Sequence, residues 1–206
     1  MTDEYKTIKQ QVGEKQRVGE LCSGMGYYTE KRSKFLAFAH HVSSVEEIKE
    51  LLAGYRKKYY DARHVCYAYM LGPERTEFRA NDDGEPSSTA GKPILGQINS
   101  NELTDILIVV VRYYGGVNLG TSGLIVAYRE AAADAIAHCE IETRQVEEVI
   151  TYAFAYPMMN DVMRIVKEMQ PRIISQTYDN TCEIKLGIRK SEAEQLRNRL
   201  EKLTFE

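Results

Sequence analysis

The sequence predicts an α+β protein built as two units, and three observations carry that reading. Runs of strand length, rich in β-branched and aromatic residues, alternate with segments of helical period along the 206 residues. The pattern breaks at a polar stretch, "HCEIETRQ" (His138–Gln145), and restarts beyond it. The order after the break, β-α-β-β-α, is that of a ferredoxin-like split βαβ unit. The length suits one large domain or two small ones, and 43% hydrophobic residues supply real cores. The expected domains are residues 1–140 and 141–206.

The elements follow in order. "KFLAFAHHV" (Lys34–Val42) reads as a strand with Phe35, Ala37 and Ala39 on one face and Leu36, Phe38 and His40 on the other. Both faces are partly apolar, which predicts an interior strand. Ser44 and Glu47 have capping-box spacing. Val45, Ile48, Leu51, Leu52 and Tyr55 then recur at helical period, giving a helix that ends near Lys58. "HVCYAYML" (His64–Leu71) is a second strand, and "LGPER" is the turn after it.

In "NDDGEPSSTAGKP" (Asn81–Pro93), Asp82-Asp83-Gly84 has turn chemistry. Aspartate tolerates left-handed backbone, and glycine adopts it freely. Ser87, Ser88 and Thr89 are each able to cap the helix whose body is "PILGQI", and carboxylates ahead of it suit its positive end. "DILIVVVRYY" is a buried strand running into the glycine-rich "GGVNLGTSG". "LIVAYREAAADAIAH" is a helix with Leu124, Ala127, Tyr128, Ala131, Ala135 and Ile136 along one side. Past the break, "VEEVITYAFAY" is a strand and "PMMNDVMRIVKEM" a helix opened by Pro157. "RIISQTY" and "CEIKLGI" are strands, and "SEAEQLRNRL" is a helix with Ser191 and Glu194 at capping-box spacing. A last edge strand after it would complete the unit.

Net charge is −3, unlike a general duplex-nucleic-acid binder, so any nucleic-acid contact must be local. Cys22, Cys66, Cys139 and Cys182 form no C-x-x-C and fit no zinc template. No metal and no cofactor are expected. "MTDEYKTIKQQ" lacks the apolar region of a signal peptide, and no apolar run reaches membrane-spanning length. These features predict a reduced, cytoplasmic protein with no membrane partner and no DNA-specific signal.

Four features are able to carry chemistry. Asp82, Asp83 and Glu85 would suit a cation, but the frame is not that of an EF-hand, and neighbours in one turn do not flank a substrate. "GGVNLGTS" has the outline of a Walker A loop, with Thr121 where the phosphate-binding lysine belongs. Its glycines and the helix start behind it still suit an anion. His64 and Cys66 point to one face of a strand, as a base and nucleophile would. Arg63 sits beside His64, and Arg112 beside Tyr113-Tyr114, a pairing suited to phosphate and base stacking or to bonding the acidic turn. Lys31-Arg32-Ser33-Lys34 and "YRKKYY" (Tyr55–Tyr60) add two basic clusters, one of them interleaved with tyrosine.

"ARHVCYAY", "NDDGEPSSTAGKPIL" and "VVVRYYGGVNLGTSGL", in that order, resemble the YigZ/IMPACT family of uncharacterised and translation-linked proteins. The resemblance runs from about Lys31 to Ala137. It includes Gly91, Ile94-Leu95, Ile98, Leu103, Val109-Val110, Arg112 to Gly116, and Gly120. It implies an N-terminal left-handed βαβ domain of the type found in elongation factor G and a small-subunit ribosomal protein. It also implies a C-terminal domain like the last domain of elongation factor G. The eukaryotic branch acts in translational control by competing for an activator of an initiation-factor kinase. Ser122 stands where the resemblance expects glycine, and Val126 where it expects a lysine or arginine.

The expected function is that of a non-enzymatic binding protein whose partner is RNA, the ribosome or a translation-associated protein. Its binding residues would be Arg63, His64, Asp82, Asp83, Gly84, Glu85, Arg112, Tyr113, Tyr114, Gly115, Gly116 and Gly120, with Lys31, Arg32 and Lys34. Within them Asp83 is expected to be structural, and Glu85 and the tyrosines beside Arg112 exposed for recognition. The alternative is an enzyme acting on a nucleotide or phosphate ester, with Arg63, His64, Asp83, Glu85 and Arg112 in a cleft. Convergence in a deep pocket would favour the enzyme, and an open basic sheet face would favour binding.

Overall fold

The structure is a computed structural model and describes residues 3–10, 22–178 and 181–203. They divide into two compact units, Tyr5–Arg144 and a smaller one running from Gln145 with Asp3 and Glu4. The larger unit is built on a five-stranded antiparallel sheet. Its order is β2 (Gly24–Glu30), β3 (Ser33–His41), β6 (Ile106–Tyr113), β4 (His64–Leu71) and β5 (Glu77–Asn81). A separate two-stranded sheet pairs β1 (Glu4–Ile8) with β7 (Ile141–Gln145).

Helices cover both faces of the large sheet, which explains why its strands are apolar on both sides. Phe35, Ala37, Cys66, Ile108 and Val110 pack with residues of α2 (Gly91–Ser100) and α3 (Gly120–Ala137). Phe38, Tyr67, Leu107 and Val109 pack with residues of α1 (Val45–Lys58). Strand β3 is interior, as its two apolar faces predict. At the β2 edge α3 lies against the strand backbone. A Cβ on Gly26 would stand 2.3 Å from the Ala135 nitrogen and 2.5 Å from the Ala131 oxygen. The Tyr27 N–H at that edge donates to Asp134 of α3 at 2.8 Å.

Capping departs from expectation in three places. Ser44 accepts from the Glu47 N–H at 3.2 Å, but the Glu47 carboxylate accepts from Ser43, one residue before the cap. Helix α2 has Ala90 at its N-cap and no bond from its own flanking side chains. In the smaller unit α5 (Lys190–Lys202) starts at Lys190 behind Arg189, so Ser191 and Glu194 do not form a capping box.

That unit runs β8 (Glu147–Phe154), a 3₁₀ turn at Tyr156–Met158, α4 (Met159–Met169), β9 (Arg172–Tyr178), β10 (Cys182–Arg189) and α5. The element order β-α-β-β-α is the one expected after the break, and the sheet is antiparallel in the order β8-β10-β9. Ile150, Phe154, Val162, Ile184, Leu196 and Leu200 form its core. The last edge strand expected after α5 would involve residues 204–206, which lie outside the described residues.

Candidate functional site

The acidic turn is held by its own carboxylates. Asp83 (φ +43°) and Gly84 (φ +86°) take the left-handed backbone their residue types favour. Asp82 Oδ1 accepts from the N–H groups of Ala90 (3.0 Å) and Gly91 (2.8 Å), and Oδ2 accepts from Ser88 (2.9 Å). Asp82 therefore caps α2 across the turn. Thr89 Oγ1 instead donates to the Pro86 carbonyl at 2.6 Å. Asp83 Oδ2 accepts from the Val65 N–H at 2.7 Å and Oδ1 from Arg56 at 2.9 Å. It fastens the turn to β4 and α1, and its cation is Arg56, not Arg63 or Arg112.

Glu85 is buried, 8% exposed, and is not the recognition residue expected. Its Oε1 accepts from Arg112 Nη1 at 2.5 Å and from the Tyr128 hydroxyl at 2.8 Å. Arg112 is itself 5% exposed. Strand alternation puts Arg112 on the face that α3 covers, where Tyr128 is its neighbour. The rings of Phe35 and Tyr114 lie 5.5 and 5.6 Å from the Arg112 guanidinium carbon. Its Nε is enclosed and has no hydrogen-bond partner among the described residues.

These groups border a cleft of about 540 Å³ between the turn and the start of α3. Arg63, His64, Glu85 and Arg112 enter it from one side, and Tyr114, Gly120 and Thr121 from the other. Among the described residues the Arg63 guanidinium has no carboxylate or hydrogen-bond partner. His64 Nδ1 lies 2.7 Å from the Asp83 carbonyl, which only an Nδ1–H satisfies. Nε2 then faces Glu85 Oε2 at 3.7 Å. Asp83 itself points away from the cleft, so four of the five residues expected of an enzyme converge there.

Cys66 lies next to this group but is no nucleophile. It is fully buried, donates to the Asp82 carbonyl at 3.0 Å, and burial pushes its thiol far above the ordinary range. Burial likewise raises Tyr128, so its hydroxyl stays a donor to Glu85. Among the described residues no cluster of three or more His, Cys, Asp or Glu is placed to hold a metal ion.

Other candidate residues lie around the cleft or away from it. Lys31 (φ +45°) and Arg32 (φ +68°) form the exposed two-residue turn of the β2–β3 hairpin. A Cβ on Gly115 would stand 2.2 Å from the Arg32 carbonyl carbon, so the hairpin tip rests on the glycine loop. Ser33 Oγ accepts from the Gly115 N–H at 3.1 Å. Gly116 (φ +84°) and Gly120 (φ +71°) supply positive φ on either side of the loop. Lys34 is exposed and pairs in register with Tyr113. Tyr113 lies on the α1 face, where its hydroxyl donates to Asp61 at 2.9 Å. Burial and that bond raise the phenol to about 12. Tyr114 is half-exposed, with its hydroxyl 3.3 Å from Asn118 Oδ1. Of the "YRKKYY" cluster, Tyr55 is a core residue 2.6 Å from His40 Nε2, and Tyr60 is exposed. Val126 and Ser122 line a neighbouring hollow of about 250 Å³ beside Lys31, not the cleft.

Sequence reasoning missed Arg56 as the partner of Asp83 and Tyr128 as the partner of Glu85. Tyr128 carried one signal: a tyrosine on a buried helix stripe needs an acceptor for its hydroxyl.

The larger unit thus defines a helix-covered antiparallel sheet with a polar cleft where a glycine loop enters a helix. The Impact N-terminal domain matches residues 31–136. An IMPACT family member of Haemophilus influenzae is 32% identical over 160 residues, covering 77% of this chain and 78% of the relative. The IMPACT family member YigZ of Escherichia coli is 33% identical over 150 residues, 72% of this chain and 74% of the relative. A crystal structure of a hypothetical protein superposes with a TM-score of 0.71 at 25% identity, covering 98% of this chain and 93% of that one. The chain belongs to the IMPACT family.

Proposed function

We propose that the chain is a non-enzymatic, RNA-contacting protein of the cytoplasmic translation apparatus, with a regulatory use like that of its family's translation-linked branch. The observation that supports this reading is the cationic, aromatic rim. The Lys31-Arg32 hairpin tip rests on Gly115, and the glycine loop leads to the cleft holding Arg63 and Arg112, with Tyr114 half-exposed beside them. Basic residues with an accessible ring suit single-stranded nucleic acid. Among the described residues no helix is long and apolar enough to cross a membrane.

The finer domain types belong to the same reading. The larger unit is a left-handed βαβ domain of the ribosomal-protein and elongation-factor G type. The smaller unit is a ferredoxin-like domain, a reading supported by the antiparallel order β8-β10-β9. A boundary in the polar window His138–Gln145 is supported by the division of the chain into compact units between Arg144 and Gln145.

The test is binding of the full chain to ribosomes and to labelled single-stranded RNA at about 50 and 200 mM salt. Affinity should fall steeply with salt, and combined Lys31→Glu, Arg32→Glu and Lys34→Glu should abolish it. Binding that survives both removes the rim as the interface.

A second reading, an enzyme acting on a nucleotide or phosphate ester, is favoured by one observation: Arg63, His64, Glu85 and Arg112 share the cleft. His64 Nε2 would be the proton acceptor there, its ring oriented by the Nδ1–H bond to the Asp83 carbonyl. Turnover of a phosphate ester lost in His64→Gln would establish it. No turnover of nucleotide or phosphate-ester substrates by the parent chain would dismiss it.

A further inference from the structure

The Arg112 guanidinium is only partly used by the protein. Nη1 is bonded to Glu85, and among the described residues no acceptor meets the enclosed Nε. Nε is sealed from the cleft, but Nη2 is unbonded and not sealed, so this 5% exposed arginine keeps one donor for an acceptor from outside the chain.

The cleft Arg112 borders also contains the start of α3, an 18-residue helix. Its first turn has no acidic residue and no side-chain cap. The N–H groups there are therefore left for an anion, and the helix dipole favours one. Arg63 adds a cation without a partner among the described residues. The fixed charges, Arg63 and Arg112 against Glu85, leave the cleft positive. The remaining walls differ in chemistry. Pro86, Leu119 and Leu124 are apolar, and Tyr114 presents a half-exposed ring.

We propose that this cleft is a nucleotide site. It takes the phosphate monoester between Arg63, Nη2 of Arg112 and the N-terminus of α3, and the base against Tyr114. Its volume of about 540 Å³ is in the range of small-molecule sites. The monoester is supplied either by a free mononucleotide or by the 5′ end of an RNA. The inference rests on the reading of this surface as phosphate-contacting, and it adds a specific end-group to it. Val126, in the neighbouring hollow, is not part of it.

Calorimetric titration of the full chain with 5′-AMP, adenosine and inorganic phosphate tests the proposal. AMP should bind at least about tenfold tighter than either fragment, because only AMP fills both ends. Arg112→Lys should lose about tenfold or more, since its single nitrogen cannot both bond Glu85 and reach the phosphate as Nη1 and Nη2 do. Thr121→Asp is the second variant. A carboxylate at an exposed first-turn position favours the helix and repels the phosphate, so the chain should fold and AMP binding should vanish. AMP no tighter than adenosine, or unchanged in Thr121→Asp, overturns the proposal. A 5′-phosphorylated trinucleotide that binds tighter than AMP assigns the site to RNA ends, and one that binds no tighter assigns it to free nucleotides. Reversing Lys31, Arg32 and Lys34 should leave AMP binding intact while RNA binding is lost. A parent chain that binds RNA but not AMP refutes the site alone, and one that binds AMP but not RNA refutes the broader reading alone.

Discussion

Replacing Glu85 by alanine should unfold the larger unit early. The Glu85 and Arg112 side chains are 3% and 6% exposed, and one Glu85 oxygen serves both Arg112 and Tyr128. Alanine removes the only counter-charge Arg112 has within bonding distance among the described residues and strands the Tyr128 hydroxyl. Breaking a buried ion pair from one side costs about 3–5 kcal/mol, because the remaining charge stays desolvated. For a chain of this size each kcal/mol moves Tm by roughly 2–4 °C, so the expected fall is roughly 6–20 °C. Thermal melts and urea midpoints followed by circular dichroism measure it. Glu85→Gln should lose less, since its amide oxygen still accepts from Tyr128. The double variant Glu85→Leu/Arg112→Met should recover much of the loss, because an apolar pair leaves no stranded charge. A fall below about 2 °C in Glu85→Ala would refute the reasoning. So would a double variant no more stable than the single one, since the cost would then be packing and not charge.

Three further outcomes follow from other contacts. His40 is fully buried, and burial lowers its pKa from its ordinary 6.5 to about 4. Only the unfolded chain takes up this proton in between, so stability should be complete above pH 6.5 and fall by about 3 kcal/mol toward pH 4. Urea midpoints across that window should slope less in His40→Gln, and an unchanged slope would exclude His40 as a source. Gly26→Ala should destabilise by about 1–3 kcal/mol, because the new Cβ meets α3 backbone that no rotamer moves; a parent-like melt would show that α3 slides freely on β2. Asp82→Ala should lose at least about 1–2 kcal/mol through three N–H groups left without their acceptor, and Asp82→Asn less. Equal melts for the two would mean that Asp82 does not cap α2.

The interior strands and the helices were legible because burial imposes a pattern on sequence. Strand β3 shows both apolar faces in Lys34–Val42, and β6 is apolar without a break, as sheets covered on both sides require. Strands β2 and β5 were not legible. Gly24 and Gly26 look like turn residues, yet they are glycine because α3 lies on their backbone. "EFRAN" of β5 is largely exposed, so it lacks the alternation that marks a half-buried strand. Boundaries were harder for a similar reason. The serines before α2 look like caps, but Asp82 reaches the same N–H groups from across the turn, and spacing along the chain does not report that reach.

The cleft was legible as residues and not as bonds. Arg63, His64, Glu85 and Arg112 were all candidates, and they come together because β4 and β6 are neighbours with His64 and Arg112 directly paired. Which carboxylate meets which cation depends on the faces of the sheet. Alternation turns Arg112 toward α3 and Tyr113 toward α1, so two adjacent residues of one motif serve different cores. Arg112 therefore reaches Glu85, and Asp83 is left to Arg56 of α1. That division has a consequence for recognition. Asp82, Asp83 and Glu85 are consumed in holding the turn, so the acidic stretch presents little free negative charge. The groups left for a partner are Arg63, Nη2 of Arg112, the α3 N-terminus and the ring of Tyr114. A stretch that reads as acidic in sequence thus frames an anion-binding cleft in the fold.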